Sequence, residues 1–164
     1  MRNIAVAIIL WGSASASLAQ PTMNGPEYVA AAGASDLYEK RSSEIVLTDA
    51  QNDEVRSFAS MMIKDHTNTS GQVKAAATGA GITPPPPSLV PKQQAMIDAL
   101  TKMSGPQREK LYVQQQLAAH QEALALHSGY AKNGDDAALK QVAATAVPII
   151  ERHLNMVKKL RTGK

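Results

Sequence analysis

Apolar residues return every three to four positions along most of this chain, the period of one buried face of an α-helix. Four long segments carry the pattern, at residues 26–47, 53–78, 106–132 and from the Asp135-Asp136 pair to about residue 160. Their ends carry matching chemistry. Asn24-Gly25-Pro26 opens the first segment, since proline is tolerated in the first turn, where its missing donor would go unpaired anyway. The polar cluster at 48–53 reads as a tight turn, with Asn52 or Asp53 capping the second segment and Gly79 and Gly81 ending it. Asn133-Gly134 stops the third, and Asp135 and Asp136 cap the fourth. Turns this short force the first two helices, and the last two, to lie antiparallel and adjacent.

Between the two hairpins the pattern breaks. Residues 83–91 contain five prolines, four of them consecutive, which exclude helix and favour a polyproline strand rising about 3.1 Å per residue. Nine such residues reach roughly 28 Å, the length of a long helix, so the connection can run the height of a bundle. A short amphipathic helix at 92–103, with Met96, Ile97 and Leu100 apolar, follows it before Ser104-Gly105-Pro106 restarts the chain. The expected fold is therefore all-α: a ferritin-like four-helix bundle of two antiparallel hairpins joined by a long proline-rich crossover with a short extra helix. Pro148, inside the fourth long segment, predicts a kink near its middle.

Histidines interrupt three of the apolar stripes. The second helix presents Val55, Ala59, Met62, His66, Thr69 and Val73; the third presents Val113, Leu117, His120, Leu124, His127 and Ala131. The fourth presents Leu139, Val142, Ala146, Ile149, His153 and Val157. In the first helix a stripe through Val29, Ala32, Asp36, Glu39, Ser43 and Val46 competes with one through Ala34, Leu37, Arg41 and Ile45, and the first of these turns Glu39 inward. If the crossover makes the second and third helices parallel, Glu39, His66 and His120 fall within about 6 to 7 Å of one another along the bundle axis. His153 stands slightly off that level. His127, nearer its helix end, reads as a boundary residue, and Asp65 as solvated or paired with a basic neighbour.

Composition changes this picture mainly at the amino terminus. Met1-Arg2, the apolar run 4–10 and the small-residue run 12–19 have the three parts of a secretory signal peptide, with cleavage expected after Ala19. Residues 1–19 then form the leader and 20–164 one domain, of a size able to bury a full core. A bacterial type of leader directs the expectation to the periplasm. The chain has no cysteine, hence no disulfide framework, thiolate metal site or lipidated amino-terminal cysteine. Its charge, +3 with the leader, is scattered rather than gathered on one face, and aromatics are 4% of residues, which argues against a nucleic-acid partner. No segment of the mature chain approaches the roughly 18 apolar residues of a transmembrane helix.

The candidate chemistry is narrow. Glycine-rich phosphate loops, a cysteine nucleophile, Gly-x-Ser-x-Gly and His-Glu-x-x-His are all missing. Carboxylate-bridged di-iron bundles need two Glu-x-x-His pairs, and none occurs: Glu151 and His153, like His120 and Glu122, are two apart and point in different directions. Three imidazoles and one carboxylate, His66, His120, His153 and Glu39, instead suit a single zinc, copper, iron or nickel ion. Met61 and Met62 offer soft copper donors, although methionine on an apolar stripe ordinarily fills core.

The pattern of Tyr28-Val29 and Glu39, then Val55-Arg56-Ser57-Phe58-Ala59 leading to Met62 and Asp65-His66, resembles a known bacterial family. Tyr112-Val113 with His120, Leu139-Lys140, Pro148 and His153-Leu154 continue the match. The family is DUF4142, a domain of unknown function described as ferritin-like and sometimes as a predicted outer-membrane protein. The resemblance implies a ferritin-like bundle in the envelope, with outer-membrane association open, and brings no established reaction. On the sequence, a structural or interaction role in the envelope, with another envelope protein or a second copy as partner, ranks ahead of a metal- or ligand-binding bundle. The reason is that buried histidines more often satisfy one another than bind metal.

Overall fold

The computed structural model describes residues 23–162, so the expected leader at 1–19 lies outside the described residues. The order of elements is α1 (Gly25–Leu47), α2 (Asp53–Gly79), α3 (Pro91–Thr101), α4 (Gly105–Asn133) and α5 (Ala137–Thr162), with no strand among the described residues. All five agree with the predicted segments to within a residue or two, because each boundary is set by local chemistry. The Asn24 side chain accepts from the Glu27 amide while Glu27 accepts from the Asn24 amide, a reciprocal cap that starts α1. Asn52 caps α2 at the amides of Glu54 and Val55, and Asp136 caps α5 at the amide of Leu139.

The end of α2 shows why the chain turns there. Gly81 takes φ +74°, open to glycine at little cost, and lets the Ile82 amide reach back to the Ala77 carbonyl at 2.9 Å. Ile82 then packs on the apolar cluster at that end. From there the proline run crosses α1 at Gly33, where an added Cβ would sit 3.6 Å from Pro87, and α3 packs on α1 and α4.

Around the bundle α1 neighbours α2 and α4, and α5 neighbours α4 and α2. The crossover delivers the start of α4 to the α1–α2 turn. There Arg108 donates to Asp49 at 2.7 Å and to the Ile45 and Leu100 carbonyls, and Glu109 accepts from the Gln51 and Asn52 amides. Both α2 and α4 thus begin at the same end and run parallel across the diagonal, while every adjacent long pair is antiparallel. This is the ferritin-like arrangement expected from the two short turns and one long connection.

α5 continues through Pro148 without a break. The proline removes the amide that would bond the Ala144 carbonyl, but both residues are exposed, so water can serve that oxygen. His127 corrects the sequence reading: it is 3% exposed, with Nδ1 3.0 Å from the Tyr28 hydroxyl. The tight turn after α4 keeps this end packed, with Tyr130 stacked on Tyr28, and a residue six positions from the helix end stays inside. In α1 the inward stripe is the one through Asp36 and Glu39; Arg41 of the competing stripe is exposed.

Candidate metal centre

The core is not continuous. One apolar cluster, built on Phe58, Met62, Leu100, Tyr112 and Val157, fills the end at the α1–α2 turn. A second, built on Tyr28, Val73, Tyr130 and Leu139, fills the other end. Between them lies a buried polar layer to which every long helix contributes: Asp36 and Glu39 from α1, His66 and Thr69 from α2, Gln116 and His120 from α4, and His153 from α5. Met62 belongs to the apolar cluster and Met61 packs against it, the ordinary role of such side chains.

Three rings form a near-equilateral triangle at the centre of this layer. The centroids of His66, His120 and His153 are 5.7, 5.5 and 5.4 Å apart, and all three residues are at most 4% exposed. Their potential ligand atoms lie within 4.8 Å of one another. A tetrahedral ion holds nitrogen donors about 3.3 Å apart, so side-chain adjustments of roughly an ångström would close the triangle on it.

Each ring is held through one nitrogen only. His66 Nδ1 donates to Asp36 Oδ1 at 2.8 Å, and the other oxygen of Asp36 accepts from Thr69 and Ser70. His120 Nδ1 donates to the Gln116 carbonyl at 2.8 Å, one turn back on its own helix. His153 Nε2 donates to Asp65 Oδ2 at 3.0 Å, and the same oxygen accepts from Arg152 at 2.8 Å. A carbonyl or carboxylate can only accept, so these bonds place a proton on the outer nitrogen of each ring, and the inner one carries a lone pair when the ring is neutral. Asp65 and His66 are consecutive and so point about 100° apart on α2. One therefore serves the histidine of α5 while the other takes its own carboxylate from α1.

The inner nitrogens have no partner. His66 Nε2, His120 Nε2 and His153 Nδ1 are buried without a hydrogen bond, as are both oxygens of Glu39 and Oε1 of Gln116. An unsatisfied buried polar group costs about 1–3 kcal/mol, so leaving all six unpaired would rival the whole stability of a domain, about 5–15 kcal/mol. A further group, a metal ion or buried water, has to complete this layer.

Electrostatics separate the rings. Burial drives His120 and His153 down to about 4, reinforced by the charge of His66, so both are neutral near pH 7. Burial also depresses His66, but the hydrogen bond and charge of Asp36, with Glu39 and Asp65 beyond, overcome it and raise it on balance. Burial lifts Glu39 to about 7, against the pull of His66 and neighbouring Gln116. Its Oε1 stands 3.6 Å from His120 Nδ1, on the nitrogen already held by Gln116, so Glu39 lies behind His120 and outside the triangle of ligand atoms.

The carboxylates that hold His66 and His153 were only half visible in the sequence. Asp36 lies on the inward stripe, and Asp65 pairs with a basic neighbour as expected, but its bond to His153 depends on α2 and α5 being adjacent. Gln116 was missed. Its signal was its place one turn before His120, where its carbonyl meets the ring.

Proteins of known structure share this fold. A DUF305 fragment from Deinococcus radiodurans superposes with TM-score 0.75 at 16% identity, over 89% of this chain and 99% of its own. A DUF305 protein from Streptomyces coelicolor gives 0.67 at 17% identity, over 83% and 89%. CopM in its Cu(II)-bound form gives 0.72 at 14% identity, over 85% and 97%. At these identities the likeness is one of fold. No curated protein sequence matches. The matching family profile, spanning residues 12–160, is that of the domain of unknown function DUF4142, and the chain belongs to this family.

Proposed function

We propose that this protein is an exported envelope bundle that binds one transition-metal ion through His66, His120 and His153. The observation that carries the reading is the set of three unpartnered ring nitrogens gathered in one buried layer, each with its opposite nitrogen tied to a carboxylate or carbonyl. That is how metal-ligating histidines are held: the outer bond sets tautomer and orientation and raises the basicity of the inner nitrogen. Asp36 and Glu39 place negative charge beside the rings, which favours a cation among them. Glu39 acts from behind His120 as a charge partner.

Three nitrogen donors without sulfur suit Cu(II), Zn(II), Ni(II) or Fe(II), and the usual order of affinities puts Cu(II) first. CopM, of the same fold, has been seen with Cu(II), which fits this reading. The leader directs the protein to the periplasm, where such an ion would be met. No described helix is long and apolar enough to cross a membrane.

Calorimetric titration of metal-free mature protein with Cu(II) and Zn(II) tests the proposal. One equivalent should bind, and His66→Ala, His120→Ala and His153→Ala should each weaken it by more than about a hundredfold, beyond the usual effect of losing an outer-shell partner. Absence of binding, or binding indifferent to all three changes, would leave the layer a packing device and return the protein to a structural role.

A further inference from the structure

Of the three groups that hold the rings, one reaches solvent. Asp36 has a side chain 6% exposed, and the Gln116 carbonyl lies within α4. Asp65 is 18% exposed, and a single oxygen of it binds both the fully buried His153 and the guanidinium of Arg152, whose side chain is 56% exposed. One carboxylate oxygen therefore connects the outside of the protein to a ring of the triangle.

The surroundings point the same way. The crossover and α3 cover the α1 side of the bundle: prolines 84–87 share a cleft with Gly33, Asp36 and Ser70, and α3 packs on α1 and α4. The α2–α5 seam lies on the opposite side. A groove of about 540 Å³ runs along it, with Phe58, Met61 and Met156 among its walls. Met61 is one turn before Asp65 and Met156 one turn after Arg152, so the groove ends one turn short of the ion pair, on the same seam.

We propose that the α2–α5 seam is the route by which the ion reaches and leaves the histidine site, with the Arg152–Asp65 pair as its latch and Asp65 as the positioning residue of His153. This rests on the triangle being a metal site. His153 turns Nε2 to Asp65 and its unpartnered Nδ1 the other way, so the ring stands between the carboxylate and the centre. Releasing Asp65 frees that ring to swing aside. The other two rings lack this freedom, because Asp36 also holds Thr69 and Ser70, and His120 is tied to its own helix backbone.

Rates distinguish a latch from simple charge. Stopped-flow uptake of Zn(II) by the metal-free protein, and release to a chelator, are compared for wild type, Arg152→Ala and Arg152→Lys. An exposed ion pair is worth up to about 1 kcal/mol, so loss of the latch should speed uptake and release together by roughly two- to fivefold, the ratio changing less than either rate. Arg152→Lys should fall between wild type and Arg152→Ala. Faster uptake with slower release would mean that Arg152 only repels cations, and unchanged rates would mean that the ion travels elsewhere; either result overturns the latch. Asp65→Ala should accelerate release further and lower affinity about ten- to a hundredfold. Equilibrium titration of the wild type reports separately on the site: if it binds no Zn(II), the site fails and the route with it.

Discussion

Two Asp–His pairs of similar geometry sit on adjacent seams of this bundle, one on each flank of α2, and their settings differ. Asp36–His66, across the α1–α2 seam, is buried beneath a proline strap and closed by two hydroxyl donors. Asp65–His153, across the α2–α5 seam, carries an exposed arginine as its third member. The distances, 2.8 and 3.0 Å, barely separate them. What separates them is access to water. A charge buried without an alternative partner is costly to orphan, whereas one at the surface can be rehydrated.

The sharpest way to break the comparison is to remove each carboxylate. Asp36→Ala leaves His66 Nδ1 without its acceptor and Thr69 and Ser70 with only the His66 carbonyl, and should cost about 3–5 kcal/mol of folding stability. Asp65→Ala should cost about 1 kcal/mol, since water reaches its place. Urea denaturation of the two variants measures the gap, and equal losses would erase the distinction between the seams.

His127 provides a ring buried as deeply but outside the triangle, with Tyr28 rather than a carboxylate beside it. Burial lowers it to about 4, from 6.5 in the unfolded chain. Its neutral form is therefore favoured by folding: the contribution is complete above pH 6.5 and is lost as pH falls towards 4, where the unfolded state binds the extra proton. The difference is worth on the order of 3 kcal/mol. His127→Gln, which keeps an acceptor for Tyr28, should flatten this part of the pH–stability curve and leave metal affinity within about twofold.

Replacing prolines 84–87 by glycine and serine should lower stability by about 0.4–1 kcal/mol for each proline, through the freer unfolded chain, while circular dichroism keeps its helical signal. Loss of the bundle would mean that the strap is core rather than cover. The smallest effect has the opposite sign. Gly33→Ala places a Cβ in ordinary contact with Pro87, at 3.6 Å, and removes a flexible residue from α1. It should stabilise by about 0.5–1 kcal/mol in thermal melts.

Much of this fold was legible because helices declare themselves locally. Caps such as Asn24 with Glu27, the Gly81 stop and the 3.6-residue stripes act within a few residues of where they are written. The proline run permitted only an extended crossover, and from that the parallel pairing of α2 with α4 followed. The level of His66, His120 and His153 along the axis was readable for the same reason, since a helix converts residue number into height.

The contacts between the two hairpins, and which nitrogen of each ring meets which group, were not readable. Glu39 points inward as its stripe implied, yet stands behind His120 because the Gln116 carbonyl and the packing of α1 on α4 decide which nitrogen it meets. His127 was placed at a boundary because periodicity cannot tell how far packing continues beyond the last strong apolar residue. The ranking of a structural role over metal binding rested on buried polar groups satisfying one another, a question no single helix can answer. The sequence by itself determined the helices, their order, the crossover and the height of three inward histidines, all of which follow from local propensity and regular rise. Only the tertiary structure decided that Asp65 serves α5 while Asp36 serves α2, and that three ring nitrogens converge without partners, because hydrogen-bond satisfaction depends on side chains 30 to 88 residues apart.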